Sequence, residues 1–122
     1  MPNATYVPST KQLVLVLFVR DIEASTAFYR RLGFQLIREQ PAFRGLAWEH
    51  HLFLLEEHKD LPPPGHLRAN VRIMVPNVDD YYRLAQEIGA TIVSPIQDRY
   101  YHLREFTIAD PDGFGIRFAT RI

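Results

Sequence analysis

The side chains that could ligate a metal or relay a proton are spread along this sequence rather than grouped. None of its five histidines has the i, i+4 spacing with which a helix presents two metal ligands. His50 and His51 are adjacent at a predicted hairpin turn, where neighbouring side chains diverge, and His58 and His66 flank a proline-rich stretch. The absence of cysteine excludes disulfides, thiolate zinc sites and cysteine nucleophiles. The G-x-S-x-G, phosphate-loop and G-x-G-x-x-G motifs are also missing, so no hydrolase triad or nucleotide site is predicted.

Polar side chains inside predicted strands are the stronger candidates for a binding site. Asn70 and Arg72 are two residues apart in one predicted strand and therefore share a face, and Arg117 lies in the last predicted strand. A buried arginine requires a partner, which a ligand carboxylate or phosphate would supply as well as a protein carboxylate. The acidic candidates are Glu49, Glu56 and Glu105. Whether the arginines face a pocket or solvent stays open, because a one-residue shift in register reverses the face.

Aromatic side chains would supply the flat surfaces on which a planar ligand stacks. The candidates are Phe43, Trp48, Phe53, Tyr100, Tyr101 and the imidazole of His102. A place in the hydrophobic core is the alternative for several phenylalanines. These are Phe28, Phe34, Phe53, Phe106 and Phe118.

The composition is that of an ordinary globular chain of single-domain size. Of 122 residues, 47% are hydrophobic, and 14 Lys and Arg balance 14 Asp and Glu. A neutral chain lacks the basic surface that nucleic acid or an anionic membrane attracts, so neither partner is expected. The longest apolar run, Leu13 to Val19, is far below the roughly 20 residues that span a bilayer. Met1 to Ala4 lack the basic and apolar regions of a signal peptide, and the expected location is cytoplasmic.

Two similar segments must position these residues, and the first begins with the apolar run from Leu13 to Val19. This run predicts a strand buried on both faces. Asp21 is a predicted N-cap of a helix that ends at about Leu32, before Gly33. The predicted buried helix face comprises Ala24, Ala27, Phe28 and Leu32. Three short strands follow, at residues 34–39, 43–48 and 51–57.

The second half repeats this order after an extended connector, residues 58–67, that contains three consecutive prolines. It predicts a strand at 70–75, a helix at 78–88, a strand at 90–94, and a hairpin of 103–109 and 114–119. Five structural positions recur with the same offset of 56 residues. The pairs are Val19 and Val75, Asp21 and Asn77, Ile22 and Val78, Leu32 and Ile88, and Gly33 and Gly89.

The chain is therefore expected to be one domain, residues 1–122, built from two βαβββ modules at about 12–57 and 68–119. One helix covers only one face of a four-stranded sheet, so two modules must combine, within one chain or between chains. We expect an α+β fold in which they form a curved, half-open, eight-stranded mixed sheet or barrel. Its concave side would be a pocket for a small molecule.

Two segments resemble the vicinal oxygen chelate superfamily, which includes glyoxalase I, extradiol dioxygenases, fosfomycin-resistance transferases and bleomycin-resistance proteins. The first runs from Leu17-Phe18-Val19-Arg20-Asp21 to Tyr29 and is closed by Leu32-Gly33-Phe34. The second is Arg104-Glu105-Phe106 followed by Asp110-Pro111-Asp112-Gly113. The resemblance covers roughly residues 12–119, and the bleomycin-resistance branch is the most similar. It implies the same paired-module fold, but it is weak for function because one scaffold hosts several chemistries.

The resemblance also implies four positions for the ligands of a divalent metal. In this chain they are occupied by Val14, Asn70, Arg117 and either Leu54 or Leu55. Valine and leucine have no donor atom and arginine repels a cation, so no metal cofactor is expected. The alternative is a metal-dependent lyase or dioxygenase of the glyoxalase type, with one zinc, nickel, manganese or iron ion. Its fallback ligands would be Glu56, His51 and Glu105.

By its resemblance to the bleomycin-resistance branch, the protein is expected to be a homodimer that binds a small planar or anionic molecule at clefts between chains. Binding would serve sequestration or sensing rather than turnover. The implied ligand contacts are Asn70, Arg72, Arg117, His102, Tyr101, Trp48, Phe43 and Phe53. His102 replaces the tryptophan that those relatives have before the R-E-F motif, and the neutral charge does not favour cationic bleomycin itself. A third possibility is an accessory domain that retains only the dimer interface.

Overall fold

The computed structural model describes residues 7–67 and 69–122, and its first element is a 3₁₀ turn at Ser9–Lys11. The helices in these ranges are α1, Ile22–Leu32, and α2, Val78–Glu87. The strands are β1 Leu15–Val19, β2 Gln35–Gln40, β3 Phe43–Trp48, β4 His51–Glu57, β5 Asn70–Met74, β6 Thr91–Asp98, β7 Leu103–Ala109 and β8 Gly115–Arg121. In the described part of the chain, neither helix is long and apolar enough to span a membrane.

The chain divides into two compact units, one ending at Pro62 and the other beginning at Pro63. The first sheet has the strand order β1-β4-β3-β2 and the second β5-β8-β7-β6. In each sheet the first strand is parallel to the last strand of its module, and the other neighbours are antiparallel. The two modules therefore share one topology, which confirms the predicted α+β fold with a duplicated βαβββ module.

Local signals in the sequence determine where α1 begins and ends. The Asp21 carboxylate accepts hydrogen bonds from the backbone N–H groups of Glu23 and Ala24, both at 3.1 Å. Gly33 ends the helix in the left-handed region, with φ +114°. The buried face is Ile22, Ser25, Thr26, Tyr29 and Leu32.

The prediction that Ala24 and Ala27 lie on the buried face of α1 was wrong, since both are exposed. Ser25 and Thr26 are buried in their place. The Thr26 hydroxyl is satisfied because it donates a 2.6 Å hydrogen bond to the carbonyl of Ile22. Hydrophobicity alone therefore misplaces the buried stripe of this helix.

The second helix begins with a contact that the sequence did not predict. Asn77 occupies the N-cap position, but its side chain makes no capping hydrogen bond. Instead, the Thr120 hydroxyl accepts from the backbone N–H of Val78 at 2.8 Å and donates to the carbonyl of Val75 at 2.8 Å. At the start of α1, the backbone N–H of Ile22 donates in the same way to Glu57 Oε2, at 3.0 Å.

The prediction that the first strand is buried on both faces was also wrong. β1 is an edge strand, and its burial depends on the face: Val19 is fully buried, whereas Val16 is 41% and Phe18 is 53% exposed. Side chains alternate along a strand and α1 packs on one face of the sheet only. An apolar run does not show which element covers each face.

Strand β6 is longer than predicted because it continues through irregular register to Asp98. The irregularities lie between Ile92 and Gln97 and include Pro95, which has no backbone N–H to donate. β6 is the edge strand of the second sheet, where such a residue is tolerated. Strands β3 and β4 have the predicted bounds.

The core of each unit lies between the helix and one face of its sheet. In the first unit, the ring centroids of Tyr29, Phe34 and Phe53 are 4.8 to 5.2 Å apart. In the second, Tyr81 of α2 stacks on Phe118, and Tyr82 contacts Phe106 edge-on. We call the opposite face of each sheet its far face.

Candidate ligand-binding site

The far face of the second sheet bears the polar residues that the sequence singled out. Phe106 and Phe118 point toward α2, so their alternating neighbours on β7 and β8, Glu105 and Arg117, lie on the far face. Arg72 of β5 is the register partner of Arg117 on the adjacent parallel strand. The two guanidinium groups therefore belong to the same face of the sheet.

A buried carboxylate lies on this face. The side chain of Glu105 is only 4% exposed. Its Oε2 accepts a 2.6 Å hydrogen bond from the Tyr101 hydroxyl. Arg99 Nε and Arg117 Nη1 lie 3.5 and 3.6 Å from the same oxygen, which are ion-pair distances rather than good hydrogen bonds.

Three buried polar atoms of this cluster have no hydrogen-bond partner in the described part of the chain. They are Glu105 Oε1, Arg99 Nε and Arg117 Nε. Arg99 still donates from Nη2 to the hydroxyl of Ser94 at 3.1 Å. Unpaired buried polar atoms are rare in folded proteins and mark positions where a bonding partner is expected.

The charges of the cluster do not cancel. Arg99 and Arg117 contribute two positive charges against the one negative charge of Glu105, and the exposed Arg72 adds a third positive charge on the same face. Like charges directly across neighbouring strands are unfavourable, and a bound anion relieves that repulsion. Asn70 is exposed two residues before Arg72 and on the same face.

Tyr101 and His102 lie in the loop between β6 and β7 and differ in their contacts with the cluster. The hydrogen bond to Glu105 raises the pKa of the Tyr101 hydroxyl above its usual value, with smaller contributions from burial and from the negative charge of Glu105. His102 is exposed and has a positive φ of 65°. Its backbone N–H closes the turn by donating to the carbonyl of Arg99 at 3.1 Å.

Arg99 is a member of the cluster that sequence reasoning missed. It follows β6 directly, and the backbone hydrogen bond of its N–H to the Leu103 carbonyl, 2.7 Å, closes the β6–β7 connection. The sequence predicts that β6 ends at residue 94, which leaves Arg99 outside the predicted strands. The available signal is its position two residues before Tyr101, one of the candidate ligand contacts.

The aromatic residues predicted to stack on a ligand are divided between the two faces of the first sheet. Phe43 lies on the far face, as the register partner of Glu56. Phe53 packs in the core against Tyr29, and half-buried Trp48 contacts Phe34 on the helix side. Phe53 and Trp48 therefore lie on the opposite face of the sheet from Phe43, because side chains alternate between the two faces along a strand.

The far face of the first sheet also contains a groove of about 570 Å³. Its apolar part is formed by Ile37, Ala47 and Leu52, and the 3₁₀ turn that includes Lys11 lies along one side. Glu49 and His50 of the β3–β4 turn border it. The groove combines an apolar floor with charged margins, although no buried polar atom in it lacks a partner among the described residues.

The positions that the resemblance assigns to a metal do not form a ligand set. Val14 and Leu54 have no donor atom, Leu55 is buried toward α1, and Arg117 is a cation directed at Glu105. Among the described residues, no group of three or more His, Asp or Glu side chains could hold a metal ion. The residues present therefore do not fit the divalent ion that the resemblance implies.

Two of the three fallback ligands do not share a face of their strand. His51 and Glu56 lie on opposite faces of β4, because they are five residues apart in a regular strand. Glu56 instead lies 3.3 Å from His58 Nε2, and the His58 ring is 4.1 Å from the Phe18 ring. Glu105, the third fallback residue, belongs to the arginine cluster of the second unit.

The comparison with known families decides the family of this chain. The model of the Glyoxalase/Bleomycin resistance protein/Dioxygenase superfamily matches residues 11–118. The chain belongs to this superfamily. The resemblance noted in the two sequence segments is thereby confirmed, whereas no curated protein matches the chain.

Solved structures of the superfamily share the fold. A family enzyme from Burkholderia phytofirmans PsJN is 25% identical, with a TM-score of 0.78 over 89% of this chain and 97% of that one. A bleomycin resistance determinant encoded on transposon Tn5 is 20% identical, with a TM-score of 0.75 over 91% and 98%. A bleomycin-binding protein complexed with bleomycin is 20% identical, with a TM-score of 0.74 over 92% and 99%.

Proposed function

We propose that this superfamily member binds a small planar or anionic molecule without a metal ion, at clefts of a homodimer. It acts by sequestration or sensing rather than by turnover, in the cytoplasm, and has no nucleic-acid or membrane partner. The cytoplasmic assignment is supported by a neutral, cysteine-free chain. The bleomycin complex of one structural neighbour supports the binding of a small molecule on this scaffold.

The observation that supports this function best is the pairing of Arg72 with Arg117 on neighbouring strands. In a metal-dependent member, the position of Arg117 would supply an acidic ligand. A guanidinium there repels a divalent cation and attracts an oxyanion. The site therefore favours an anion where a metal-dependent member would bind a cation. The ligand is an anion rather than a metal-chelated substrate.

The homodimer is supported by apolar side chains on the edge strand β1. Val16 and Phe18 are half exposed, and Leu13, just before the strand, is 94% exposed. Contiguous exposed apolar residues on an unpaired strand edge favour association with another surface. Sedimentation velocity should give the mass of two chains, and Phe18→Lys should give the mass of one.

Metal analysis is the first test. Protein purified without chelator should contain far less than one equivalent of divalent metal by elemental analysis. This should remain so after addition of nickel, zinc or manganese and removal of the excess. Near-stoichiometric retention would overturn the proposal and support a metal-dependent lyase or dioxygenase.

Ligand binding is the second test. Isothermal titration calorimetry with benzoate, 2-naphthoate and phenyl phosphate should detect at least one of these planar anions. Arg117→Gln and Arg72→Gln should each weaken it by about tenfold, because each removes one charge-assisted hydrogen bond. Arg83→Gln, on the exposed surface of α2, is the matched control. Binding that is absent for all three anions, or unchanged in both variants, would contradict the proposal.

A further inference from the structure

Glu105 offers a ligand a hydrogen-bond acceptor, Oε1, that no described residue uses. Two arginines and Tyr101 all converge on Oε2, whereas Oε1 is buried and has no hydrogen-bond partner among residues 7–67 and 69–122. A carboxylate that serves only to neutralise arginines would share both oxygens with them, as in a two-pronged guanidinium pair. The asymmetry indicates that Oε1 is kept for another donor.

Both arginines that cover Glu105 can be drawn away from it. Their contacts with Oε2 are 3.5 and 3.6 Å long, and their side chains are 31% and 34% exposed. Among the described residues, the buried Nε–H groups of Arg99 and Arg117 make no hydrogen bond, although Arg99 Nε lies 3.5 Å from Glu105 Oε2. A ligand oxyanion would give these groups a hydrogen-bond acceptor, and their movement toward it would open space around the Glu105 carboxylate.

We infer that the Arg99–Glu105–Arg117 cluster binds a carboxylate that has an amide N–H beside it, as in an N-acyl amino acid. This inference rests on the proposed function. The carboxylate accepts from the two guanidinium groups, and the N–H donates to Glu105 Oε1. A simple anion satisfies the arginines but leaves Oε1 buried and unpaired. The cluster therefore prefers ligands that present both groups together.

Two isosteric compounds test this preference directly. N-benzoylglycine and 4-oxo-4-phenylbutanoate both have a phenyl ring, a carbonyl group next to it and a carboxylate. They differ at one position, where the amide N–H of N-benzoylglycine is replaced by a CH₂ in 4-oxo-4-phenylbutanoate. Calorimetry with the wild-type protein should show that N-benzoylglycine binds about tenfold more tightly or better, since a hydrogen bond to a charged acceptor is at stake.

Glu105→Gln identifies the acceptor. The three donors around Oε2 would retain the amide oxygen of glutamine, so the amide NH₂ would stand at the position of Oε1 and present a donor. The preference for N-benzoylglycine should then disappear. Glu87→Gln, an exposed residue at the end of α2, is the matched control and should keep the preference. Circular dichroism and thermal melting establish that each variant is folded.

The outcomes separate this inference from the proposed function. Equal binding of the two compounds by the wild type would overturn the inference while leaving the anion site intact. The absence of N-benzoylglycine binding, with aromatic anions still bound, would do the same. A preference for N-benzoylglycine that persists in folded Glu105→Gln would also overturn the inference.

If the protein binds none of the aromatic anions either, or if it retains a metal ion, the proposed function itself is wrong. The wild-type comparison remains decisive even if Glu105→Gln does not fold.

Discussion

The Tyr101 hydroxyl donates a 2.6 Å hydrogen bond to Oε2 of Glu105, so that a loop residue is tied to a buried carboxylate on β7. Tyr101 itself is 41% exposed, whereas the Glu105 residue is 3% exposed. The contact links the β6–β7 loop to the arginine cluster, because Arg99 approaches the same oxygen from the start of that loop. Ionisation of Tyr101 would place a second negative charge against Glu105.

The titration of Tyr101 should reflect this contact. Its pKa is raised above 10.0, first by the hydrogen bond to Glu105, then by burial and by the negative charge of that residue. The resulting stabilisation is present below the unfolded pKa of 10.0 and is lost as the pH rises through the higher folded value. Ultraviolet difference titration of the wild type against Tyr101→Phe should show one late-titrating tyrosine. In Glu105→Gln its midpoint should fall, and an unchanged midpoint would contradict this assignment.

Arg104 connects α2 to the second sheet through two carboxylates. It donates to Asp79 at 2.9 and 3.2 Å and to Asp98 at 3.0 Å. The hydrogen bond from Arg104 is the largest cause of the lowered pKa of Asp79, and the positive charges of Arg104 and Arg83 also lower it.

Because the folded pKa of Asp79 is lowered, its contribution to stability should be present above the unfolded value of 3.8 and be lost as the pH falls below it. Arg104→Gln should make urea unfolding less dependent on pH in this acid range. Arg31→Gln is the control, since it removes the same charge at an exposed position of α1. If the stability of the wild type and of Arg104→Gln depends equally on pH in this range, Arg104 does not set the pKa of Asp79.

Gly113 should not tolerate a side chain. It has a φ of +85°, and an added Cβ would lie 2.6 Å from Cβ of Pro64, a rigid ring atom. Gly113→Ala should lower the free energy of unfolding by about 1–3 kcal/mol, measured by urea denaturation. Gly65→Ala is the matched control because no atom lies within 4 Å of its added Cβ, and it should change stability by less than about 0.5 kcal/mol. Equal losses of stability in Gly113→Ala and Gly65→Ala would contradict the close contact between Gly113 and Pro64.

Thr120 should matter for α2 despite being 42 residues from its start. Thr120→Val keeps the shape but removes both the acceptor for the Val78 N–H and the donor to the Val75 carbonyl. We expect a loss of about 1–2 kcal/mol in the free energy of unfolding, because a helix cap and a strand contact disappear together. Thr91→Val, at an exposed position of β6, should have little effect. If Thr120→Val leaves the free energy of unfolding unchanged, solvent replaces the helix cap.

Features with local causes could be predicted from the sequence. The ends of α1 follow from Asp21 and Gly33, and the bounds of β3 and β4 follow from the turn residues around them. The repeat at a constant offset predicted the shared topology of the two modules, because equal spacing of caps and apolar residues requires equal connections.

Features that depend on distant residues could not be predicted. The capping role of Thr120 requires knowledge of which strand end lies beside α2, and the exposure of Phe18 depends on what covers a strand face. Strand parity separates Phe43 from Phe53 and Trp48, but parity needs the register and the position of the helix. The partnership of Glu105 with Arg117 was among the candidate pairings, whereas Arg99 joins it only because β6 extends to Asp98.

Glu57 ends β4 and Thr120 lies near the end of β8, the strands that pair with the first strand of each module. Each of the two side chains accepts a hydrogen bond from the first backbone N–H of its own helix. The two side chains share neither charge nor size. After a tandem duplication, each copy can change residue type as long as the geometry of an essential contact survives. A search for ancient internal duplications should therefore compare which backbone group is satisfied from which strand position, since that correspondence outlasts the identity of the amino acids.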